Sequence, residues 1–354
     1  MKKKITKSTR TNLMCYGVVL LAFAVLFPLQ QTGMINHSIG GQLVPICTYI
    51  VMAISLNLTV GVLGELSLGH AGFMSVGAFT GVIAAAGLES TVASGPLRLL
   101  LALIIGGICA GIAGFLIGIP VLRLRGDYLA IVTLAFGEII KNIVNCLYVG
   151  LDKHGLHISM KDAASLKMEN GRILLNGPQG AAGITKLASL TAGVLLILFA
   201  LFVVLNMINS RTGRAITAIR DNRIAAESVG ISITRYKLTA FITSAALAGM
   251  AGTLYAMNFS TISAKKFDFN TSILILVFVV LGGMGNIFGS IISTAVLYMI
   301  PELLREFSEY RMLIYAIILI LVMLATNSPR LKGFFGRVFD TVLRRGGKGG
   351  ERVE

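Results

Sequence analysis

Repeated apolar runs of about twenty residues constrain this chain more than any other feature of its sequence. A helix needs about 20 residues to cross a bilayer core, so each of these runs is long enough to span a membrane. Of the 354 residues, 55% are hydrophobic and only 13% are charged. Transmembrane barrels alternate polar and apolar residues, and these runs do not. The sequence therefore predicts an all-α integral membrane protein, a polytopic helical bundle.

The predicted spans follow one another from the N-terminus at residues 13–29, 41–63, 66–87, 97–122, 128–149, 187–208 and 238–257. From Ser272 the pattern breaks, because Gly282-Gly283-Met284-Gly285-Asn286 interrupts an apolar run that resumes as far as Ile300. The first piece is too short to cross, so we expect a broken or re-entrant helix pair whose glycine turn is buried in protein. With a last span at 312–325, the sequence predicts about ten spans.

The basic residues predict which ends of the spans face the cytoplasm. A net charge of +15 would point to nucleic acid in a soluble protein, but here the basic residues flank the spans, so we expect no nucleic-acid partner. The positive-inside rule makes several segments cytoplasmic: the basic N-terminus 1–12, Arg123 with Arg125, the loop 209–237 and the basic tail 329–354. The charge-balanced loop 150–186 is then external. The transmembrane domain covers 13–328, and both termini are cytoplasmic.

The loop 209–237 is more than a connector. Its sequence predicts a helix from Thr217 to Val229, with Ile219, Ile224, Ala226 and Val229 as an apolar stripe, and Gly230 is placed to end that helix. A short amphipathic helix held just outside the bilayer offers a docking element to a soluble partner.

No catalytic or metal-binding pattern accompanies the spans. The four histidines form no His-Glu-x-x-His pattern, and the sequence contains no Gly-x-Ser-x-Gly elbow. The phosphate-binding Gly-x-x-x-x-Gly-Lys-Ser/Thr loop is also absent, so this chain is not expected to bind or hydrolyse ATP. If transport is driven by ATP, a separate subunit must supply the nucleotide site, and the loop 209–237 is its natural dock.

A segment rich in glycine and serine, from Gly61 to Phe79, carries two ionisable residues at or near membrane depth, Glu65 and His70. Glycine and serine at this density let helices approach closely, or let a helix unwind and present backbone groups to a ligand. Ionisable residues in membranes are functional candidates. The alternative is that Glu65 marks the cytoplasmic end of a span and that His70 hydrogen-bonds a neighbouring helix.

Glu138 and Lys141 lie three residues apart on one predicted helix, so they can pair within the bilayer. A mutually neutralising pair and a direct substrate contact are both open interpretations. Small residues spaced by four, such as Ala245 and Gly249, predict close helix packing. The run from Asn176 to Gly180 fits either a plain turn or a contact with an external protein.

Several of these stretches resemble the LivM-like permease subunits of the high-affinity branched-chain amino-acid ABC importers, over roughly Leu43 to Pro329. Ile224-Ala225-Ala226, three residues and Gly230 match the spacing of the Glu-Ala-Ala-x-x-x-Gly coupling loop, with Ile224 in place of glutamate. The segment Gly64–Phe73 is similar to the family's Gly-x-x-Ser-Leu-Gly-His-Ala-Gly-Phe signature. A further similar stretch runs from Arg123 to Lys141 and includes Gly126-Asp127-Tyr128. Further similar segments are Asn176–Gly180, Gly282–Asn286 and Pro301–Leu304.

The resemblance implies roles for two groups of residues. The residues expected to couple to the ATPase are Arg220, Arg223, Ala225, Ala226, Glu227 and Gly230. The candidates for the translocation path are Glu65, Ser67, Gly69, His70, Gly72, Phe73 and Glu138.

The resemblance also implies an assembly in the bacterial cytoplasmic (inner) membrane. The expected partners are two cytoplasmic ATP-binding subunits, a second, homologous permease forming a heterodimer, a periplasmic amino-acid-binding protein and membrane lipids. No cofactor is expected in this chain, because the partner ATPase subunits would bind ATP and Mg²⁺.

Two alternatives are kept for the function. One is a related ABC importer for urea, amides or other amino acids. The other is a secondary transporter driven by an ion gradient, which predicts repeated interrupted helices with carboxylates at the membrane midplane. The broken element near the C-terminal end has no evident counterpart in the sequence. An intramembrane enzyme is disfavoured, since no catalytic constellation is present.

Overall fold

The computed structural model describes residues 7–32, 37–124, 126–152, 155–162, 164–166, 168, 171–304 and 310–327. By compactness the chain divides into two units, Met1–Ala295 and Val296–Glu354. The basic N-terminal residues 1–6, Arg125 and the tail from residue 328 lie outside the described residues. The predicted cytoplasmic location of both termini therefore stays a prediction.

The described residues contain twelve α-helices, which are named α1 to α12 in chain order: Lys7–Gln31, His37–Asn57, His70–Gly87, Gly95–Val121, Asp127–Asn145, Leu190–Asn209, Arg211–Asp221, Arg223–Ser228, Ile233–Ala256, Phe269–Gly282, Ile287–Leu303 and Arg311–Asn327. Polar side chains cap several helix starts, where the first backbone N–H groups have no partner within the helix. Ser210, Asn222 and Asp268 accept hydrogen bonds from the third residue of α7, α8 and α10, respectively.

Within the described residues, six helical segments are long and apolar enough to cross a membrane: Asn12–Gln31, Ile39–Leu63, His70–Gly87, Gly95–Val121, Leu190–Asn209 and Ile233–Ala256. The fold is thus that of a polytopic membrane protein, but about ten spans are not confirmed. Helix α5 carries three charged residues, Asp127, Glu138 and Lys141, which lower its hydropathy. Helices α10, α11 and α12 have 14, 17 and 17 residues, fewer than the roughly 20 that a straight crossing needs.

The expectation of an all-α protein is wrong outside the spans, where five short strands form one antiparallel sheet. The strands β1 to β5 are Tyr148–Asp152, Gly155–Ser159, Arg172–Asn176, Ala181–Ala182 and Thr261–Ile262. Their order is β2-β1-β3-β4-β5. The predicted external loop supplies β2 to β4, and β5 comes from the connection between α9 and α10. Pairing in a ladder satisfies backbone N–H and C=O groups that a long irregular loop would leave without partners.

The sheet identifies one side of the bundle. The C-terminal ends of α5 and α9 lead into its strands β1 and β5. Glu89, just after α3, forms ion pairs at 3.5 Å with Arg98 of α4 and at 3.7 Å with Arg172 of β3. We call this the sheet side. The segment α7–α8 joins the opposite ends of α6 and α9, and we call that end the loop side.

Helix α9 lies at the centre of the bundle and packs tightly against α3 and α4 through glycines. A Cβ atom added to Gly77 of α3 would collide with the backbone of Gly249 in α9. A Cβ atom added to Gly249 would in turn meet Ala110 and the carbonyl oxygen of Gly106 in α4. The small residues predicted at Ala245, Gly249 and their neighbours therefore do serve close helix packing, as expected in membranes.

We expect Gly77→Ala to lower the free energy of unfolding by about 1–3 kcal/mol, because the backbones of α3 and α9 must separate. Gly87→Ala is the matched control on the same helix, since a Cβ atom there meets nothing within 4 Å. Thermal unfolding of the detergent-solubilised variants measures both effects. Equal midpoints for the two variants would show that this contact does not limit stability.

Candidate functional site

Helix α2 does not continue regularly into the glycine-rich segment. It passes at Leu58–Leu63 into one turn of π-helix, and Gly64 follows in the left-handed region with φ of 77°. Residues 65–69 are not helical, and α3 begins only at His70, four residues later than the predicted start of that span. We call Leu58–Leu63 the π turn. Single π turns within helices are rare and occur often at functional sites.

The predicted interruption near the C-terminal end is also present. Helix α10 ends at Gly282, and α11 begins at Ile287. Gly283 and Gly285 lie between them with φ of 93° and 82°, in the region that favours glycine. The expectation that this turn is buried is wrong within this chain, because Met284 is 63% exposed.

The two interruptions meet through Asn57, the last residue of α2. Its side-chain oxygen accepts a hydrogen bond of 2.8 Å from the backbone N–H of Gly285. Its side-chain nitrogen donates to Ser290 Oγ at 2.7 Å. The sequence showed no counterpart to the broken element near the C-terminal end. That interpretation is wrong, because the π turn after α2 is a second interruption. Two interrupted helices lie together, as at the ligand sites of many transporters.

Glu65 follows the π turn and forms an ion pair with Lys237 of α9. The two side chains are only 14% and 5% exposed, respectively. Two residues further on, Ser67 Oγ is buried and has no hydrogen-bond partner among the described residues. A largely buried ion pair and an unpaired buried hydroxyl thus lie close together in this segment, where polar groups are costly unless they have partners.

Gly69 and Gly72 let α5 approach the glycine-rich segment. A Cβ atom at Gly69 would collide with the carbonyl oxygen of Thr133, and one at Gly72 would lie 2.9 Å from Gly137 Cα. The Thr133 hydroxyl also accepts a hydrogen bond of 3.1 Å from the backbone N–H of Leu68. Helix α5 thus holds the non-helical segment in place.

His70 and Phe73 point into the bundle core. His70 Nε2 lies 2.7 Å from Ser55 Oγ of α2, and both side chains are buried. The prediction that His70 hydrogen-bonds a neighbouring helix is confirmed. The Phe73 ring packs edge-to-face against Phe241 of α9, with ring centroids 5.5 Å apart. These contacts tie the start of α3 to α2 and α9.

Glu138 and Lys141 form the predicted ion pair on α5. Their side chains are partly exposed on this chain, so the pair lies at the bundle surface. Near the sheet side, the run from Asn176 to Gly180 forms a 3₁₀ turn with positive φ at Gly177 and Gly180. The interpretation of that run as a turn is confirmed.

The loop on the loop side folds as two helices rather than one. Asn222, with φ of −153°, ends α7 and caps α8 by accepting a 3.1 Å hydrogen bond from the backbone N–H of Ala225. Ile219, Ala226 and Ile233 pack together as a small core that fastens this hairpin to the start of α9. Gly230, with φ of 82°, makes the turn after α8, as predicted.

The predicted apolar stripe on this loop is wrong for half of its members. Ile219 and Ala226 are buried, but Ile224 is 81% exposed and Val229 is 75% exposed. The break at Asn222 rotates α8 relative to α7, so a single helical face cannot hold all four side chains. Glu227 is exposed beside Ile224 and Val229. The loop therefore presents two apolar side chains outside the predicted spans.

Arg220 points inward, toward the π turn. Its Nη1 donates a hydrogen bond of 3.1 Å to the carbonyl oxygen of Gly61, and its Nε and Nη2 donate to the Asp221 carboxylate at 3.0 and 2.9 Å. A cleft of about 310 Å³ lies beside it on the loop side. Its charged lining residues are Glu65, Asp127, Arg220, Arg223 and Lys237. Members of both predicted groups thus line this cleft: Arg220 and Arg223 from the coupling group, and Glu65 from the path group.

The family model described as branched-chain amino acid transport system / permease component matches residues 38–323. The chain belongs to this family. The permease is 36% identical over 322 residues to the high-affinity branched-chain amino acid transport system permease protein LivM of Escherichia coli, covering 87% of this chain and 72% of that relative. It is 38% identical over 291 residues to LivM of Salmonella typhimurium, covering 78% and 66%, respectively.

A probable branched-chain amino acid transport permease protein LivM of Methanocaldococcus jannaschii is 24% identical over 294 residues, or 74% of the permease and 79% of that relative. No solved structure matches the permease. Its several apolar helices and its family identify a multi-pass membrane protein.

Sequence reasoning missed two residues of this permease that connect segments distant in the sequence, Asn57 and Lys237. Asn57 lies within an apolar run and was not singled out. A single amide in a membrane span does indicate a buried polar contact, and that signal could have identified it. Lys237 was counted with the basic residues of the loop, although it begins the next apolar run and is buried. In each case the partner lies far away in the sequence, at Gly285 and at Glu65, so spacing alone could not identify it.

Proposed function

We propose that this chain is the membrane-spanning permease subunit of an ATP-driven importer for the branched-chain amino acids leucine, isoleucine and valine, in the bacterial inner membrane. The family match over 38–323 supports the transport role. The observation that carries the ATP-driven mechanism is the α7–α8 hairpin, which is compactly folded and exposes Ile224 and Val229 beyond the spans. Exposed apolar side chains on a short folded helix outside the spans can be buried in a groove of a soluble partner.

The mechanism that we propose is alternating access. Two ATPase subunits draw together when they bind ATP, and one of them carries the α7–α8 hairpin with it. The core of Ile219, Ala226 and Ile233 makes the hairpin a rigid extension of α9, so its movement is passed to the central helix of the bundle. Coupling requires different contacts in the inward-facing and outward-facing states.

The proposed path runs by the glycine-rich segment. Ser67 supports this assignment, because a buried hydroxyl with no partner among the described residues can hydrogen-bond a passing substrate. Gly69, Gly72 and Phe73 hold the segment in place, and Glu65 lines the cleft on the loop side. We assign Glu138, on the surface of α5, to the edge of the path or to a contact with another subunit.

The assembly that we propose pairs this chain with a second, homologous permease, two ATPase subunits and an external binding protein. Met284 supports the second permease, since this apolar residue is 63% exposed at the turn between α10 and α11, and a neighbouring subunit would bury it. The external protein would dock on the sheet side. The cytoplasmic location of the hairpin and of both termini belongs to the same proposal.

We expect Ile224→Asp and Val229→Asp to remove the ATPase subunits from the complex, because a charge at either position cannot be desolvated in an apolar groove. ATP-driven uptake of leucine should be lost with them. Leu156→Asp is the matched control for retention of the ATPase subunits, since Leu156 is another exposed apolar residue but lies on the sheet, away from the hairpin. Affinity purification from membranes, with every co-purifying chain identified, gives the result. Retention of the ATPase subunits by both hairpin variants would contradict this docking site.

A gradient-driven carrier is the second candidate, because two interrupted helices do meet at Asn57. Such a carrier needs a carboxylate or other ionisable group that binds the coupling ion within the membrane. The described residues bury no aspartate or glutamate fully, and Glu65 is already paired with Lys237. A lone permease that transports without any ATPase subunit would favour this candidate. Urea, amides and other amino acids are the alternative substrates.

A further inference from the structure

We propose that Arg220 is the link through which the α7–α8 hairpin moves the π turn, and that it is not a residue that contacts an ATPase subunit. The inference rests on the proposed function, because it explains how ATPase movement would reach the path. It assigns Arg220 as a positioning residue that acts on the backbone of Gly61.

The side-chain hydrogen bonds of Arg220 go to Asp221 and to the π turn, while the side chain is 40% exposed. The Asp221 carboxylate accepts hydrogen bonds from Nε and Nη2, which fixes the plane of the guanidinium. Nη1 is then directed at the carbonyl oxygen of Gly61, 3.1 Å away. The Arg220 stem also crosses Gly64, where an added Cβ atom would lie 2.6 Å from Arg220 Cγ. Arginine suits this task because its planar fork can hold two acceptors in fixed directions.

The Gly61 carbonyl is available because the helix ends beside it. Gly64 turns into the left-handed region, and the backbone N–H groups of Gly64 and Glu65 both bond to the carbonyl oxygen of Thr59. Carbonyls in the last turn of a helix have no N–H of a following turn to accept from. Arg220 therefore supplies a donor to the end of the π turn, and a displaced Arg220 would take that donor away from the Gly61 carbonyl.

The same turn touches the second interrupted helix. A Cβ atom at Gly61 would meet the side-chain oxygen of Asn57 and the backbone nitrogen of Gly285. Arg220, Gly61, Asn57 and Gly285 thus form a continuous set of contacts from the hairpin to the turn between α10 and α11. A π turn contains one residue more than an α-helical turn, so a change between the two shifts the following residues. In this proposal the π turn is the element with two arrangements that a coupling mechanism requires.

The test uses the complete complex purified from membranes and returned to liposomes. Arg220→Ala removes the link, and Arg220→Lys keeps the charge but not the fork. Gly64→Ala keeps the charge, but it both displaces the Arg220 stem and strains the left-handed backbone at the end of the π turn. Arg235→Ala, at an exposed arginine in the first turn of α9, is the matched control. Three quantities are measured: the ATPase subunits retained, ATP-driven leucine uptake, and hydrogen–deuterium exchange over residues 58–69 with and without a non-hydrolysable ATP analogue.

We expect Arg220→Ala and Gly64→Ala to retain the ATPase subunits, to lose at least about tenfold in uptake and to lose the nucleotide-dependent change in exchange. Arg220→Lys should give intermediate uptake, and Arg235→Ala should match the native permease. Loss of the ATPase subunits from Arg220→Ala would make Arg220 a docking residue and overturn the proposal. Native uptake or an unaltered exchange response in that variant would overturn it as well.

Failure of the proposed function gives a different pattern. If the native complex imports no leucine but shows a nucleotide-dependent change over 58–69 that Arg220→Ala abolishes, the substrate assignment falls and the link stands. If the native complex imports leucine and shows no such change, the proposed function stands and the link falls.

Discussion

Replacing Lys237 by methionine is expected to lower the free energy of unfolding by about 3–5 kcal/mol, because it leaves the Glu65 carboxylate largely buried without its partner. The ammonium of Lys237 lies between the start of α9 and the segment after the π turn. No other described residue forms an ion pair with Glu65. Uptake should fall together with stability, since the same pair lines the cleft on the loop side.

The double variant Glu65→Gln with Lys237→Met distinguishes a lost ion pair from lost packing. Exchange of both partners for neutral residues of similar size removes the uncompensated charge, so we expect most of the stability to return. A double-mutant cycle on thermal unfolding in detergent measures the coupling between the two residues. If the two single effects simply add, then the pair is not coupled and the contact has no energetic importance.

Gly61→Ala is expected to abolish uptake and to destabilise the permease by more than the roughly 1–3 kcal/mol of ordinary overpacking. The added methyl group would collide with the Asn57 side chain and with the Gly285 backbone, neither of which can rotate away without breaking their mutual hydrogen bond. The two interrupted helices would have to separate.

Gly41→Ala is the control for this variant, because it lies in the same span and a Cβ atom there meets nothing within 4 Å. Expression, thermal unfolding and leucine uptake of the two variants should be compared in parallel. Native uptake by Gly61→Ala would show that the contact between the π turn and Gly285 is not needed for transport.

The membrane class and most spans could be predicted from the sequence, because apolar runs of bilayer length are typical of membrane-spanning helices and rare elsewhere. The number of spans could not be predicted from the sequence, since α5 is amphipathic and α10 and α11 are short. The sheet was missed because its strands have only two to five residues and carry glycine and charged residues. Such strands are stabilised by pairing with distant segments, as β4 pairs with β5, rather than by their own composition.

The candidate site was predicted in its parts but not in its arrangement. Motifs in the sequence pointed to the glycine-rich segment and to the coupling loop as separate features. Their meeting at Gly61 depends on the π turn and on the direction of Arg220, and neither follows from residue spacing. The exposed positions of Ile224 and Val229 likewise depend on the break at Asn222, which a continuous helical pattern conceals.

The measurement that tests the central claim most directly is leucine uptake into liposomes that contain the purified complex. The ATPase subunits face the inside of the liposome, where ATP is enclosed, and the binding protein is added outside. We predict that uptake requires ATP, stops when ATP is replaced by a non-hydrolysable analogue, and is inhibited by excess isoleucine or valine. Uptake that continues without ATP and follows an imposed ion gradient would contradict the account and identify a gradient-driven carrier.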